Sequence, residues 1–234
     1  MELGAVERKD LASSIAEKLR LSIISGAFRP GDRLPSERKL AGVLEVTRTT
    51  LREALKVLET LRFIRIRQGD GVRVLDYLRG ANLEILADLL FRDGALDGDL
   101  LANLLEARVF FGRILARLTA QRASADQIEA YAKGVESLAL AAGDPPKMQK
   151  IDLECFDLLA RGGGNLVFVF VLNSIRSIYL RHRQVFERMY QDPERLVEGH
   201  RQVLAAVRAG DPEGAETAID RMLQDTARTL GTEP

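Results

Sequence analysis

The chain has little with which to do covalent or redox chemistry. Its 234 residues include one cysteine, two histidines and no tryptophan, and aromatic residues make up only 6%. The lone Cys155 excludes an intrachain disulfide and points to a reducing compartment. Two histidines and one cysteine leave little from which to build a Ser–His–acid or Cys–His set, and none is suggested, so no catalytic residues are expected. No apolar run approaches the length of a membrane span and no secretory leader pattern is present, which gives the expectation of a cytoplasmic protein without membrane contact. Net charge is missing overall, yet it is uneven: residues 1–79 carry +5 and the remainder −5. A basic first third with an acidic remainder suits a nucleic-acid module joined to a part that does not touch nucleic acid.

What is present begins at residues 33–53, which read as two short helices joined by a tight turn. Ser36 is a good N-cap for the first, with Glu37 in its positive first turn and Leu40, Ala41, Val43 and Leu44 on one face. Thr47 can cap the second, whose apolar stripe is Leu51, Ala54, Leu55, Leu58 and Leu61 at helical period. Arg48 and Arg52 flank that stripe beside Thr49 and Thr50. A helix N-terminus offering amides, hydroxyls and guanidiniums together suits phosphates and base edges in a major groove. Residues 62–75 then alternate apolar and basic on both sides of a Gln-Gly-Asp-Gly turn, the pattern of a β-hairpin. Phe63, Ile64, Ile66, Val72 and Val74 are its apolar positions, and Arg65, Arg67 and Arg73 point elsewhere. Gly69 and Gly71 let the tip approach a sugar-phosphate backbone closely. The expectation is a winged helix-turn-helix over residues 1–76 and a hinge at 77–79.

Residues 80–234 show helical periodicity only. Apolar stripes run over 83–91, 100–122, 125–142, 146–160, 165–190, 193–209 and 212–230, separated by Gly, Asp and Pro breakers. A mainly α protein results, its C-terminal part an antiparallel bundle of six or seven helices. Several polar residues fall inside these stripes. Arg108 lies between Leu101, Leu104, Leu105, Phe111 and Leu115, and a guanidinium there needs an anion. Asp152, Asp157 and Glu106 are its internal candidates, and a bound ligand is the alternative. His200 sits among Leu196, Val197, Val203 and Leu204, while Asn173, Tyr179 and His182 interrupt an apolar face. Convergence of Arg108, Asp152, Asp157, Asn173, Tyr179 and His200 in one bundle makes them candidate effector-binding residues around a cavity.

The motif Leu34-Pro-Ser-Glu-Arg-Lys-Leu-Ala, then Val46-Thr-Arg-Thr-Thr-Leu-Arg-Glu-Ala-Leu, then the glycine wing resembles the winged helix-turn-helix of the GntR family of bacterial transcription regulators. By position, the resemblance implies DNA contacts at Arg38, Thr47, Arg48, Thr49, Thr50, Arg52, Gln68 and Gly69. More weakly, Leu105-Glu-Ala-Arg108, the segment from Asp152 to Asn165 and Glu198-Gly-His200 resemble the helical effector domain of the FadR subfamily. Many members hold a divalent metal there through an aspartate and three histidines. This chain departs from that set: Asp157 and Met222 stand in two histidine positions, and Leu153 stands where the aspartate is expected, one residue after Asp152. The expectation is therefore no metal and no cofactor. The run from Gly164 to Arg181 resembles the metal-free, fatty-acid-responsive regulator, so the implied effector is an organic acid or an acyl compound. Two readings stay open beside it: a ligand-independent dimeric repressor and a metal-dependent carboxylate sensor. One reading helix buries too little surface for adequate specificity, so a homodimer on a pseudo-palindromic operator is expected.

Overall fold

The structure is a computed structural model that describes residues 11–67, 69–80, 83–92 and 95–231. Its contacts form two compact units, Met1–Ala95 and Leu96–Pro234. In the first, helices α1 (Leu11–Ile24), α2 (Glu37–Val43) and α3 (Arg48–Thr60) precede the hairpin of β1 (Ile64–Arg67) and β2 (Gly71–Val74). The apolar stripe of α3 makes the centre: Leu51, Ala54, Leu55 and Leu58 are 1% exposed or less, with Ile15, Leu19 and Ile23 of α1 also buried. Leu40 and Ala41 bury in α2 as expected, but Val43, in its last turn, is 70% exposed. Between α2 and α3 the chain passes through Glu45 at φ 54, a left-handed turn made without glycine.

In the hairpin Ile64 pairs with Val74 and Ile66 with Val72, antiparallel. Phe63, Ile64, Val72 and Val74 are buried and Ile66, near the tip, is exposed. Residues 31–34 run along the other side of β2, where Leu34 N donates to Val72 O at 2.9 Å and Val74 N to Asp32 O at 2.9 Å. The segment 83–91, which its periodicity groups with the later bundle, forms a 3-10 turn at Leu83–Ile85 and the short α4 (Leu86–Leu89). Buried Asp88 receives the Arg20 guanidinium of α1, Nη1 to Oδ2 at 2.6 Å. That ion pair keeps α4 with the first unit.

The second unit holds α5 (Gly98–Arg122), α6 (Ala125–Leu140), α7 (Pro145–Gly162), α8 (Leu166–Arg181), α9 (Arg183–Phe186), α10 (Pro193–Arg208) and α11 (Pro212–Arg228). Caps start these helices where the breakers stand. Ser124 and Gln127 form a capping box, while Asp144, Asp192 and Asp211 each cap a helix that opens on proline. The single helix expected over 165–190 is broken. His182 leaves helical geometry at φ −111 and ψ 41, and a 3-10 turn follows α9 at Glu187–Tyr190. The break turns Phe186, Met189 and Tyr190 into the core, each 3% exposed or less. Among the described residues no helix is long and apolar enough to cross a membrane.

Helix α5 packs along α11, and Gly112 marks their close approach: a Cβ there would strike the Leu223 side chain. Gly112→Val should therefore push the two helices apart and cost about 1–3 kcal/mol, the usual range for overpacking. Urea unfolding of the full chain reads the loss, and an unchanged midpoint would show that the α5–α11 contact yields freely.

Candidate functional site

Two sites emerge, one in each unit. In the first, a groove of about 780 Å³ opens between the start of α2, the start of α3 and the hairpin tip, lined by Arg33, Arg38, Arg48 and Arg67 with Ser36, Glu37 and Gly69 among the rest. Ser36 accepts from Lys39 N at 3.4 Å, and Thr47 accepts from Thr50 N at 3.2 Å. These caps fix both helix starts at the groove side. The Thr47 and Thr50 hydroxyls lie 2.8 Å apart, and Thr47, Arg48 and Thr49 are exposed. Arg52 is exposed too, but its Nε donates to Glu37 Oε2 at 2.8 Å, which braces α3 against α2. At the tip, Arg73 clasps Asp70 through Nε (2.8 Å) and Nη2 (3.0 Å). The Arg73 hydrogen bond holds the Asp70 carboxyl below its usual value, so this carboxylate stays charged and occupied. Gly69 takes φ 84 with open space around its Cα, as a close approach to a backbone requires. Gln68 lies outside the described residues. Arg33 was not singled out in the sequence; its only signal is its place before the Leu-Pro-Ser-Glu-Arg motif.

The second site is a buried polar cluster. Asp152 of α7 is 1% exposed and His200 of α10 fully buried. His200 Nε2 lies 2.8 Å from Asp152 Oδ1, and Tyr131 Oη of α6 lies 2.8 Å from His200 Nδ1. Tyr190 donates to Asp152 Oδ2 at 2.8 Å. A carboxylate can only accept, so the network assigns a proton to Nε2, while either atom of the Nδ1–Tyr131 Oη pair can donate. Burial raises the phenols of Tyr131 and Tyr190 well above their usual range, which keeps both hydroxyls protonated. Burial also pushes the Asp152 carboxyl up, but the His200 hydrogen bond, the Arg108 charge and the Tyr190 hydrogen bond outweigh it and hold it below the ordinary value. Arg108 of α5 stands over the Phe156 ring, 5.4 Å from its centroid, and donates through Nη1 to Thr226 Oγ1 of α11 at 2.8 Å. Its Nη2 is 3.6 Å from Asp152 Oδ2, an ion pair but not a hydrogen bond.

Beside this cluster is a cavity of about 30 Å³ lined by Arg108, Leu115, Asp152, Phe156, Leu172 and Tyr179 with Phe111 and Ile175 among the others. The Tyr179 hydroxyl is buried there with no hydrogen-bond partner among the described residues. Two expected members do not join. Asp157 pairs with Arg161, Nε to Oδ2 at 2.6 Å, because the next turn of the same helix offers a guanidinium away from the cavity. Asn173 is exposed, on the side of α8 opposite Leu172 and Ile175. Glu106, a candidate partner for Arg108, is exposed as well. Tyr131, Tyr190 and Thr226 were missed: the helix break that delivers Tyr190 leaves no mark in the apolar period.

The residues present do not fit the subfamily's divalent metal. Both ring nitrogens of His200 are engaged, Asp157 faces Arg161, and Met222 offers a weak thioether packed against Gly199. Among the described residues no three His, Cys, Asp or Glu side chains gather as ligands.

Because the folded Asp152 carboxyl is held low, its contribution to stability is full above its unfolded value, near 3.8, and is lost as acid carries the pH through the lower folded value. Urea melts from pH 7 down to strongly acid solution should show wild type losing stability below about pH 4. Asp152→Asn should be less stable at neutral pH and lose less on acidification. An identical acid slope in both chains would remove Asp152 from the account.

Comparison with known proteins places each unit in a described family. Residues 11–74 match the family described as bacterial regulatory proteins, gntR family, and residues 103–225 match the FCD domain. The chain is 31% identical to the HTH-type transcriptional regulator Mce2R of Mycobacterium tuberculosis (strain CDC 1551 / Oshkosh), over 96% of this chain and 93% of that one. It is 27% identical to the HTH-type transcriptional repressor NanR of Citrobacter rodentium, over 95% and 86%. Among solved structures, a Streptococcus agalactiae GntR protein superposes with a TM-score of 0.52 at 29% identity, covering 93% of this chain and 99% of that one. With an arginine-lined helix-turn-helix and wing ahead of a helical FCD domain, the chain belongs to the GntR family and is a DNA-binding transcriptional regulator rather than an enzyme.

Proposed function

We propose that this regulator reads a pseudo-palindromic operator as a homodimer in the cytoplasm, and that a small acidic metabolite bound at Arg108 changes its operator affinity. The groove of four arginines between two capped helix starts and the wing supports the DNA reading. Arg48 sits in the first turn of α3, where side chains reach base edges. Arg38, Thr47, Thr49, Thr50 and Gly69 surround it as backbone-positioning contacts.

The effector reading rests on Arg108. Asp152 already receives direct hydrogen bonds from His200 and Tyr190, so it does not depend on the guanidinium alone. Of the Arg108 donors, the Nη1 bond to Thr226 is the hydrogen bond made among the described residues. A planar guanidinium with donors to spare, beside the unpartnered Tyr179 hydroxyl, suits a carboxylate. Gln149, one turn before Asp152 on α7, is likewise 1% exposed with neither amide atom partnered among the described residues, though it does not line the cavity. About 30 Å³ holds a water or two, so admission of a metabolite must move a wall. Helix α8 is that wall, since it contributes Leu172, Ile175 and Tyr179 but, among the described residues, no hydrogen bond to Asp152.

Two measurements test this reading. In DNA titrations Arg48→Ala should lose about 1–3 kcal/mol at the preferred site and relax specificity, while Arg67→Ala should weaken all sequences alike and lower the salt slope by about 1. Equal, sequence-independent losses in both would make Arg48 a phosphate contact only. Arg108→Met should keep the fold, at a cost of about 1–3 kcal/mol, and keep DNA binding, yet abolish the response to small carboxylates. A melt collapse with an intact response would assign Arg108 to structure alone.

A further inference from the structure

Strand pairing in the first unit gathers arginines on one side of the wing. Arg67 stands opposite Gly71 and Arg65 opposite Arg73 across the hairpin, while Arg33 bridges Arg73 from the other side of β2. Opposed residues share a face of a sheet, as do alternate residues of one strand. Arg33, Arg65, Arg67 and Arg73 therefore gather about Gly71, on the face away from buried Val72 and Val74. Like charges directly opposed destabilise a sheet, so a face of this kind is suited to an anion. Arg73 is already occupied: it clasps Asp70 through Nε and Nη2 and donates through Nη1 to Gly31 O at 3.3 Å. Arg33 is exposed, and no carboxylate among the described residues pairs with it. A Cβ on Gly71 would stand 2.9 Å from Arg33 Nε and 3.1 Å from Nη2, so the guanidinium lies over the bare Cα of Gly71.

We propose that Arg33 grips a backbone phosphate of the DNA beside the wing, and that Gly71 is the positioning residue that seats its guanidinium. Arg33, Arg67 and Gly71 line the same groove as Arg38 and Arg48, so the seated group opens on the surface that meets the duplex. The Asp70 carboxylate would repel a phosphate, but Arg73 spans it with two bonds. Arg33 and Arg67 are thereby left as the charges at the tip without an ion pair among the described residues. Backbone bonds on either side of Arg33, Val74 N to Asp32 O and Leu34 N to Val72 O, tie it to β2. The contact thus belongs to the wing, although Arg33 precedes both helices of the helix-turn-helix in sequence. A guanidinium meets phosphate oxygens with parallel donors, and a point charge also serves, so the contact positions the protein and reads no base. This assignment rests on the DNA reading of the groove.

Titrations of the full chain with a mixed-sequence duplex, and with a site selected from a random-sequence library, test the assignment. Arg33→Gln should lower the slope of log affinity against log salt by about 0.9 on both, so its deficit against wild type shrinks about 3.5-fold between about 50 and 200 mM salt. Melting should not fall, because the side chain is exposed and holds no carboxylate. Arg33→Lys keeps the charge and should keep the slope. Gly71→Ala, whose methyl displaces the guanidinium, should lower the slope as well, and adding it to Arg33→Gln should lower it no further. Strain at Gly71 (φ 84) can weaken binding in both backgrounds but does not change the number of phosphates contacted. A wild-type slope in Arg33→Gln, a loss confined to the selected site, a melt that falls with the affinity, or a further drop of slope in the double variant would each overturn the proposal. A wild type that binds neither duplex would overturn the DNA reading too, whereas the other outcomes leave that reading and the Arg48 test intact.

Discussion

A carboxylate buried at the centre of the helical unit is the constraint around which that unit is arranged. Removing the Asp152 charge from water costs several kcal/mol unless donors surround it. His200 of α10 and Tyr190 supply hydrogen bonds, and Arg108 of α5 supplies charge. Through His200, Tyr131 of α6 is drawn in as well. One acid thus fixes the mutual placement of α5, α6, α7 and α10. It also gives the break after α8 a purpose, since an unbroken helix to residue 190 would carry Tyr190 past its acceptor.

In the proposed account, the same cluster separates a fixed part from a part that moves. Histidine in the FadR subfamily resemblance implies a metal ligand; here the imidazole is engaged at both nitrogens by a carboxylate and a phenol. Helix α8 stands apart from it. Its Tyr179 hydroxyl has no partner among the described residues, and its inner side chains make the wall of a cavity too small for a metabolite. A guanidinium held by a threonine and a ring, rather than by a short ion pair, faces that wall.

Much of this was legible in the sequence. Caps at Ser36 and Thr47, the α3 stripe and the hairpin follow from local rules, because each depends on residues within a few positions of one another. Arg108, Asp152 and His200 were legible as polar breaks in apolar stripes. Asp157 and Asn173 were misplaced because one turn of helix separates a buried flank from an exposed one, and periodicity does not show which flank a neighbour covers. The Arg20–Asp88 pair, which holds α4 on α1, joins residues far apart in sequence and left no pattern. Tyr131 and Tyr190 were missed for a related reason: a core tyrosine reads as apolar until its acceptor is known.

The central claim is that ligand entry moves α8 while the Asp152 cluster stays fixed. Amide hydrogen exchange of the full chain, with and without a panel of small mono- and dicarboxylates, tests it most directly. The account predicts that a carboxylate which changes DNA affinity alters exchange along residues 166–181 and leaves the amides around Asp152 and His200 unchanged. A carboxylate that changes DNA affinity with α8 exchange unaltered, or with the cluster itself opening, would contradict it.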